Sequence, residues 1–134
     1  MKQLLLIEDN AANRKLIGGV LLRAGYQVDE FDNADDGIAM ALQKTYDLIV
    51  MDIQLPGTDG LAATRLLRAS DKTQHIPILA VTAYAMPGDQ KRILEGGCDD
   101  YLAKPIAYKE LLKKVELLLG GEEAVALLGK ESEG

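Results

Sequence analysis

The chain has one cysteine, Cys98, so no disulfide can form within it, and without a Cys/His cluster of metal-ligand type that thiol reads as a small core or loop residue. Clustered Lys and Arg are missing as well. Fifteen basic residues against 21 acidic ones leave a formal charge of -6, which argues against a polyanionic partner and excludes direct nucleic-acid binding from the expectation. Long apolar runs are absent. The first, Leu4 to Ile7, is stopped by Glu8-Asp9, too early for a signal-peptide core or a membrane span, so the chain is expected in the cytoplasm with no membrane insertion. There is no internal repeat, low-complexity tract or long linker. What remains is an ordinary globular composition: 134 residues, 48% apolar and 27% charged, enough for one core and too few for two.

Five short apolar runs alternate with stretches of helical length: Leu4 to Ile7, Val28 to Phe31, Leu48 to Met51, Ile78 to Thr82 and Tyr101 to Ala103. That alternation predicts an α/β protein with a parallel sheet. The first, third and fourth runs are nearly unbroken and suit central strands covered on both faces, whereas Tyr26 to Phe31 carries polar residues and suits an edge. Ala11 to Ala24 places Leu16, Ile17, Val20 and Leu21 at helical spacing before Gly25. Asp32 or Asn33 can cap a second helix running to about Lys44, Asp59 a third, and Pro87 suits the first turn of a fourth ending at Gly96-Gly97. A fifth spans Tyr108 to Leu119 before Gly120-Gly121. Residues 1–120 are thus expected to form the domain and 121–134 a short tail. That tail is either frayed or a small helix offering Val125, Leu127 and Leu128 for docking.

In a doubly wound sheet every strand delivers its carboxyl end to one rim, where ligands bind. Reading that rim gives Glu8-Asp9 after the first strand, Asp52 after the third, Thr82 after the fourth and Lys104 after the fifth. In the flavodoxin-like order 2-1-3-4-5, Asp9 and Asp52 face each other where the winding reverses. Crowded carboxylates repel unless a hard divalent cation lies between them, and an all-oxygen set with room for water suits Mg2+. An ammonium and a hydroxyl beside such a site make a kit for phosphoryl transfer. Asp52 would be the nucleophile, Lys104 would neutralise one phosphoryl oxygen, and Thr82 with a backbone N–H after Asp52 would donate to another. Lys104-Pro105 fixes the turn after the last strand and suits a cis bond.

These motifs resemble the receiver domain of two-component response regulators, the CheY-like family: I-E-D-N at 7–10, D-L-I-V-M-D-I-Q-L-P-G-T-D-G at 47–60, V-T-A at 81–83 and D-Y-L-A-K-P at 100–105. The likeness runs from Lys2 to Leu119. It implies that Glu8 and Asp9 form the acidic metal pocket with Asp52, and that the backbone carbonyl of Gln54 completes the metal shell. It further implies that Asp52 accepts the phosphoryl group, that Lys104 is the family's lysine, and that Thr82 and Tyr101 are the paired switch residues. Side chains at Gln54 and Tyr84 are associated in the family with access of water to the acyl phosphate, and a bulky Tyr84 implies slow self-hydrolysis. The string Asp9 to Arg14 resembles the first-helix start of receivers in hybrid kinases and single-domain regulators, which implies docking on a histidine-bearing four-helix bundle, with Ala12 or Ile17 as contacts where the core does not use them and core packing as the default reading of both.

The resemblance implies a single-domain regulator that takes its phosphoryl group from a histidine kinase or histidine phosphotransfer protein and acts on a downstream protein target. It would be a monomer or weak dimer, and no enzyme beyond its own phosphorylation and dephosphorylation. About 15 residues after the fifth helix are too few for an output domain. Three other readings are weaker. A non-phosphorylated scaffold receiver normally loses the acceptor, the metal acids or the lysine. An aspartate-nucleophile Mg2+ phosphatase usually has a second aspartate where Gln54 stands, and a flavodoxin-type phosphate loop would be repelled by Glu8-Asp9.

Overall fold

The computed structural model describes residues 1–133, with side chains described for residues 1–120. Five strands, β1 (Gln3–Ile7), β2 (Gln27–Phe31), β3 (Leu48–Asp52), β4 (Ile78–Thr82) and β5 (Asp100–Ala103), alternate with helices α1 (Ala11–Arg23), α2 (Ala34–Gln43), α3 (Gly60–Ala69), α4 (Pro87–Glu95) and α5 (Tyr108–Glu133). All strand pairs are parallel, as the alternation of runs predicts, and the order is β2-β1-β3-β4-β5, the flavodoxin-like order in which Asp9 and Asp52 were expected to face each other. The tail expected after residue 120, with its docking residues Val125, Leu127 and Leu128, lies outside the residues whose side chains are described.

The near-continuous apolar strands divide their side chains between two cores, because successive residues point to opposite faces. Leu5, Ile7, Ile49, Met51, Ile78 and Ala80 pack on one face with Ala63 and Leu67 of α3 and Ile93 of α4. Leu4, Leu6, Leu48, Val50, Leu79 and Val81 pack on the other with Ile17 and Leu21 of α1 and Leu111 and Val115 of α5. Truncating any of the fully buried leucines to alanine removes contacts on a face that cannot collapse, a change that costs about 2–5 kcal/mol. β2 is half exposed, as an edge strand should be.

Short polar residues set where the helices begin. Asn10, Asn33 and Asp59 each accept a hydrogen bond from the backbone N–H three residues on, at 2.9, 2.8 and 2.8 Å, which satisfies a donor the helix leaves free. Pro87 opens α4 without needing such a partner. At the rim where the strands start, Arg68 of α3 donates to the carbonyls of Gly97, Gln74 and Ile76 and pairs with Asp99 at 2.8 Å. Asp99 in turn accepts from the Ile78 N–H at 2.8 Å, fastening the first residue of β4.

Candidate functional site

The opposite rim carries the chemistry. Asp52 ends β3 and Thr82 ends β4, both buried, while Glu8 follows β1 and Lys104 follows β5. Glu8 is 1% exposed, against the ordinary expectation that a carboxylate at a strand exit is solvated. Two features aim it inward. Arg14 of α1 donates to the Glu8 carbonyl at 2.9 Å, fixing the turn, and the Asn10 N–H donates to Glu8 Oε2 at 3.2 Å. Asp9 stays exposed beside it, and oxygens of Glu8, Asp9 and Asp52 lie within 4.8 Å of one another.

Lys104 projects from the cis Lys104-Pro105 turn into this group. Its Nζ lies 3.3 Å from Asp52 Oδ2 and 3.0 Å from Glu8 Oε1. The second contact is out of line for a hydrogen bond, so buried Glu8 Oε1 has no hydrogen-bond partner. Burial, then the adjacent Glu8 carboxyl, pushes Asp52 up to about 8. Burial would raise Glu8 too, but its contacts with Asp52, Lys104 and the Asn10 N–H outweigh that and hold it below its usual range. Burial would lower Lys104, and the two carboxyls outweigh it in the other direction. Three acids with one lysine, one acid oxygen lacking a hydrogen-bond donor, and one acid held away from ionisation together fit a small hard cation with oxygen ligands.

The expected residues are brought to one place. The Thr82 hydroxyl does not meet Asp52. It donates to the Tyr84 carbonyl at 3.1 Å and accepts from the Tyr84 N–H at 2.9 Å. The backbone N–H expected to serve the acceptor is that of Gln54, which donates to Asp52 Oδ1 at 3.0 Å. Tyr101 is half-buried against the α3–α4 core, its ring 5.1 Å from Lys114 Nζ. Cys98 is buried beside Thr64, as expected of an inert core thiol.

Two contributions escaped the reading of residue types. Arg14 braces the β1–α1 turn through backbone carbonyls, which leave no trace in side-chain identity. The Gln54 side chain, linked by the resemblance only to access of water, bonds to both Thr82 and Ala83. A long amide two positions from an acidic strand end was the available signal.

Comparison with known proteins decides the family. The family model for the response regulator receiver domain matches residues 4–116. The chain belongs to that family. It is a receiver domain of a two-component phosphorelay, homologous to a single-domain regulator and to CheY-like proteins. Among curated relatives, the polar-differentiation response regulator DivK of Brucella anthropi is 40% identical over 119 residues, covering 89% of this chain and 97% of DivK. Among solved structures, the receiver domain of a sensor histidine kinase from Pseudomonas aeruginosa PAO1 is 38% identical with a TM-score of 0.84, covering 90% of this chain and 98% of that one. That structure has a magnesium ion coordinated in its active-site cleft. The chemotaxis protein CheY4 of Vibrio cholerae, 25% identical with a TM-score of 0.84, covers 89% of this receiver and 99% of its own chain. Among the described residues, no helix of this receiver is long and apolar enough to cross a membrane.

Proposed function

We propose that this receiver is a single-domain, cytoplasmic switch phosphorylated on Asp52 by a histidine kinase or histidine phosphotransfer protein, which signals by contact with a downstream protein. The observation that carries the reading is the buried Asp52 carboxyl held within reach of Glu8, Asp9 and Lys104. An Asp52 oxygen attacks phosphorus in line, the bond to the donor imidazole nitrogen breaks, and the electron pair leaves with the imidazole, which takes up a proton. Lys104, already 3.3 Å from Asp52, balances charge on the transferred group. Mg2+, held by Glu8, Asp9, Asp52 and the Gln54 backbone carbonyl, would supply charge stabilisation for the phosphoryl oxygens. The near-complete coverage of DivK supports the single-domain reading. The protein acts as a monomer or weak dimer and catalyses no reaction but its own phosphorylation and dephosphorylation.

The donor's helices dock on α1. Ile17, one of the two contacts expected from the sequence, is 1% exposed and belongs to the core, because its position on α1 faces the sheet. Its neighbour Leu16 is 44% exposed and lines a groove of about 760 Å³ between α1 and α5 with Ala12, Val20, Tyr108 and Leu112. Lys15 and Arg23 border this groove, which suits an amphipathic helical partner with acidic flanks.

Intact-protein mass spectra after incubation with a small phosphoryl donor test the reading. A Mg2+-dependent adduct in the wild type and none in Asp52→Asn are expected. A folded protein that takes up no phosphoryl group under any condition would make it a binding scaffold instead.

A further inference from the structure

Gln54 follows the acceptor by two residues, and its side-chain amide crosses from the end of β3 to the end of β4. Its Nε2 donates to Thr82 Oγ1 at 2.9 Å and its Oε1 accepts from the Ala83 N–H at 2.9 Å. With the two bonds to Tyr84 these contacts fill the Thr82 hydroxyl completely: one donor hydrogen goes to the Tyr84 carbonyl, and both lone pairs accept N–H groups. The hydroxyl therefore cannot turn toward Asp52 without breaking at least one of them.

The register shows why this matters. Asp52 pairs with Val81, so Thr82 and Ala83 are the next groups along β4 past the acceptor. Beyond the Gln54 N–H and Lys104, which already reach Asp52, their hydroxyl and N–H are the donors that the end of β4 offers to an anion built on the acceptor. Both are engaged by the same amide.

We propose that the Gln54 side chain is a latch that holds the end of β4 in its resting arrangement, so that it is a positioning residue whose release is part of the cost of phosphorylation. An oxyanion on Asp52 competes directly with Gln54 Oε1 for the Ala83 N–H. It also draws the Thr82 hydroxyl off Tyr84, which the Gln54 Nε2 contact opposes. A single hydrogen bond made in the folded protein contributes little net free energy, so the latch sets a threshold rather than a block. The inference rests on Asp52 being the phosphoryl acceptor, yet the latch itself exists before any phosphoryl group arrives.

Two measurements test it, with Gln54→Met, which keeps the length of the side chain without its hydrogen bonds, and Gln54→Ala as a second variant. Neither alters the backbone carbonyl. In the metal-free protein, the backbone amide signals of Ala83 and Tyr84 should shift in both variants, and the Ala83 N–H should exchange faster with solvent. With Mg2+ present, the beryllofluoride concentration giving half-maximal change should fall about three- to tenfold in both variants, the effect of losing one or two net hydrogen bonds. Unmoved Ala83 and Tyr84 amides, or a beryllofluoride midpoint that stays level or rises, would overturn the latch. If the wild type itself takes up no beryllofluoride, the assignment of Asp52 fails, and the amide signals alone then decide whether the latch exists.

Discussion

Gly60 lies directly against Asp52: a Cβ added to it would run into the Asp52 carbonyl oxygen and the Ile53 Cα. The first residue of α3 is thus wedged beneath the backbone that carries the acceptor, and its N–H donates to the Ile53 carbonyl at 3.1 Å. Backbone cannot move aside as a flexible side chain can. Gly60→Ala should lower stability by about 1–3 kcal/mol and displace Asp52. Urea unfolding checks the first effect. The second is read as a weaker Mg2+ affinity in the fraction that remains folded.

Asp52 should be destabilising in the metal-free protein at neutral pH. Its folded pKa, pushed up to about 8, lies above the ordinary carboxylate value, so the group favours folding only where it is protonated in both states. That stability is lost progressively as pH rises from the unfolded value toward 8. Asp52→Asn, which cannot ionise, should therefore stabilise the metal-free protein by roughly 1–3 kcal/mol at pH 7.5, with the gain shrinking toward pH 4. Added Mg2+ should narrow the difference by stabilising the wild type alone. Thermal melts across this pH range, with and without Mg2+, provide the check, and a constant difference would contradict the burial argument.

Lys104 is the cation that allows Glu8 and Asp52 to share a buried corner. Lys104→Met should lower metal-free stability at pH 7.5 by about 1–3 kcal/mol, less than the full cost of an unpaired charge because Asp52 can take up a proton. Mg2+ should then stabilise the variant more than it stabilises the wild type. Melting temperatures measured against Mg2+ concentration distinguish this from a simple packing defect, which Mg2+ would not repair.

Leu16 offers a way to separate docking from chemistry. Leu16→Glu should leave phosphorylation by a small donor unchanged and slow transfer from a phosphorylated histidine protein about tenfold or more, since burying an unpaired charge at an interface costs more than 1.4 kcal/mol. Equal slowing with both donors would place the effect in the fold rather than in the groove.

Tyr84 borders a cavity of about 360 Å³ with Gln54, Ile53 and Asp59, beside the acceptor. The residue is 58% exposed. Tyr84→Ala keeps the backbone bonds to Thr82 and removes the ring, and should shorten the half-life of the phosphorylated form about threefold, a barrier change below 1 kcal/mol. An unchanged half-life would show that the ring does not screen the acyl phosphate from water.

Much of this was legible in residue types. Strand positions were readable because β1, β3 and β4 are apolar on both faces, so each stands out as an unbroken run. Asn33, Asp59 and Pro87 marked helix starts because capping depends on side-chain chemistry. Glu8, Asp9, Asp52 and Lys104 were found because parallel strands deliver their exits to one rim. Ile17 was open to reading as core or contact because α1 is apolar on more than one face, and helical spacing alone does not say which of Leu16 and Ile17 points inward. Thr82 was expected to donate to a phosphoryl oxygen, and its resting partners are backbone groups of Tyr84 that no residue type announces.

The Arg68–Asp99 cluster has a mechanical consequence. It clamps the start of β4 through three carbonyls, an ion pair and the Ile78 N–H, at the rim far from Asp52. β4 is also paired with β3 and β5 along its length, up to the Lys104 N–H that donates to the Thr82 carbonyl at 2.8 Å, so its backbone is held at both ends. A pull on the Thr82 hydroxyl is therefore met by rotation of its side chain and by movement of the segment beyond it that leads into α4, not by sliding of the strand along its own axis.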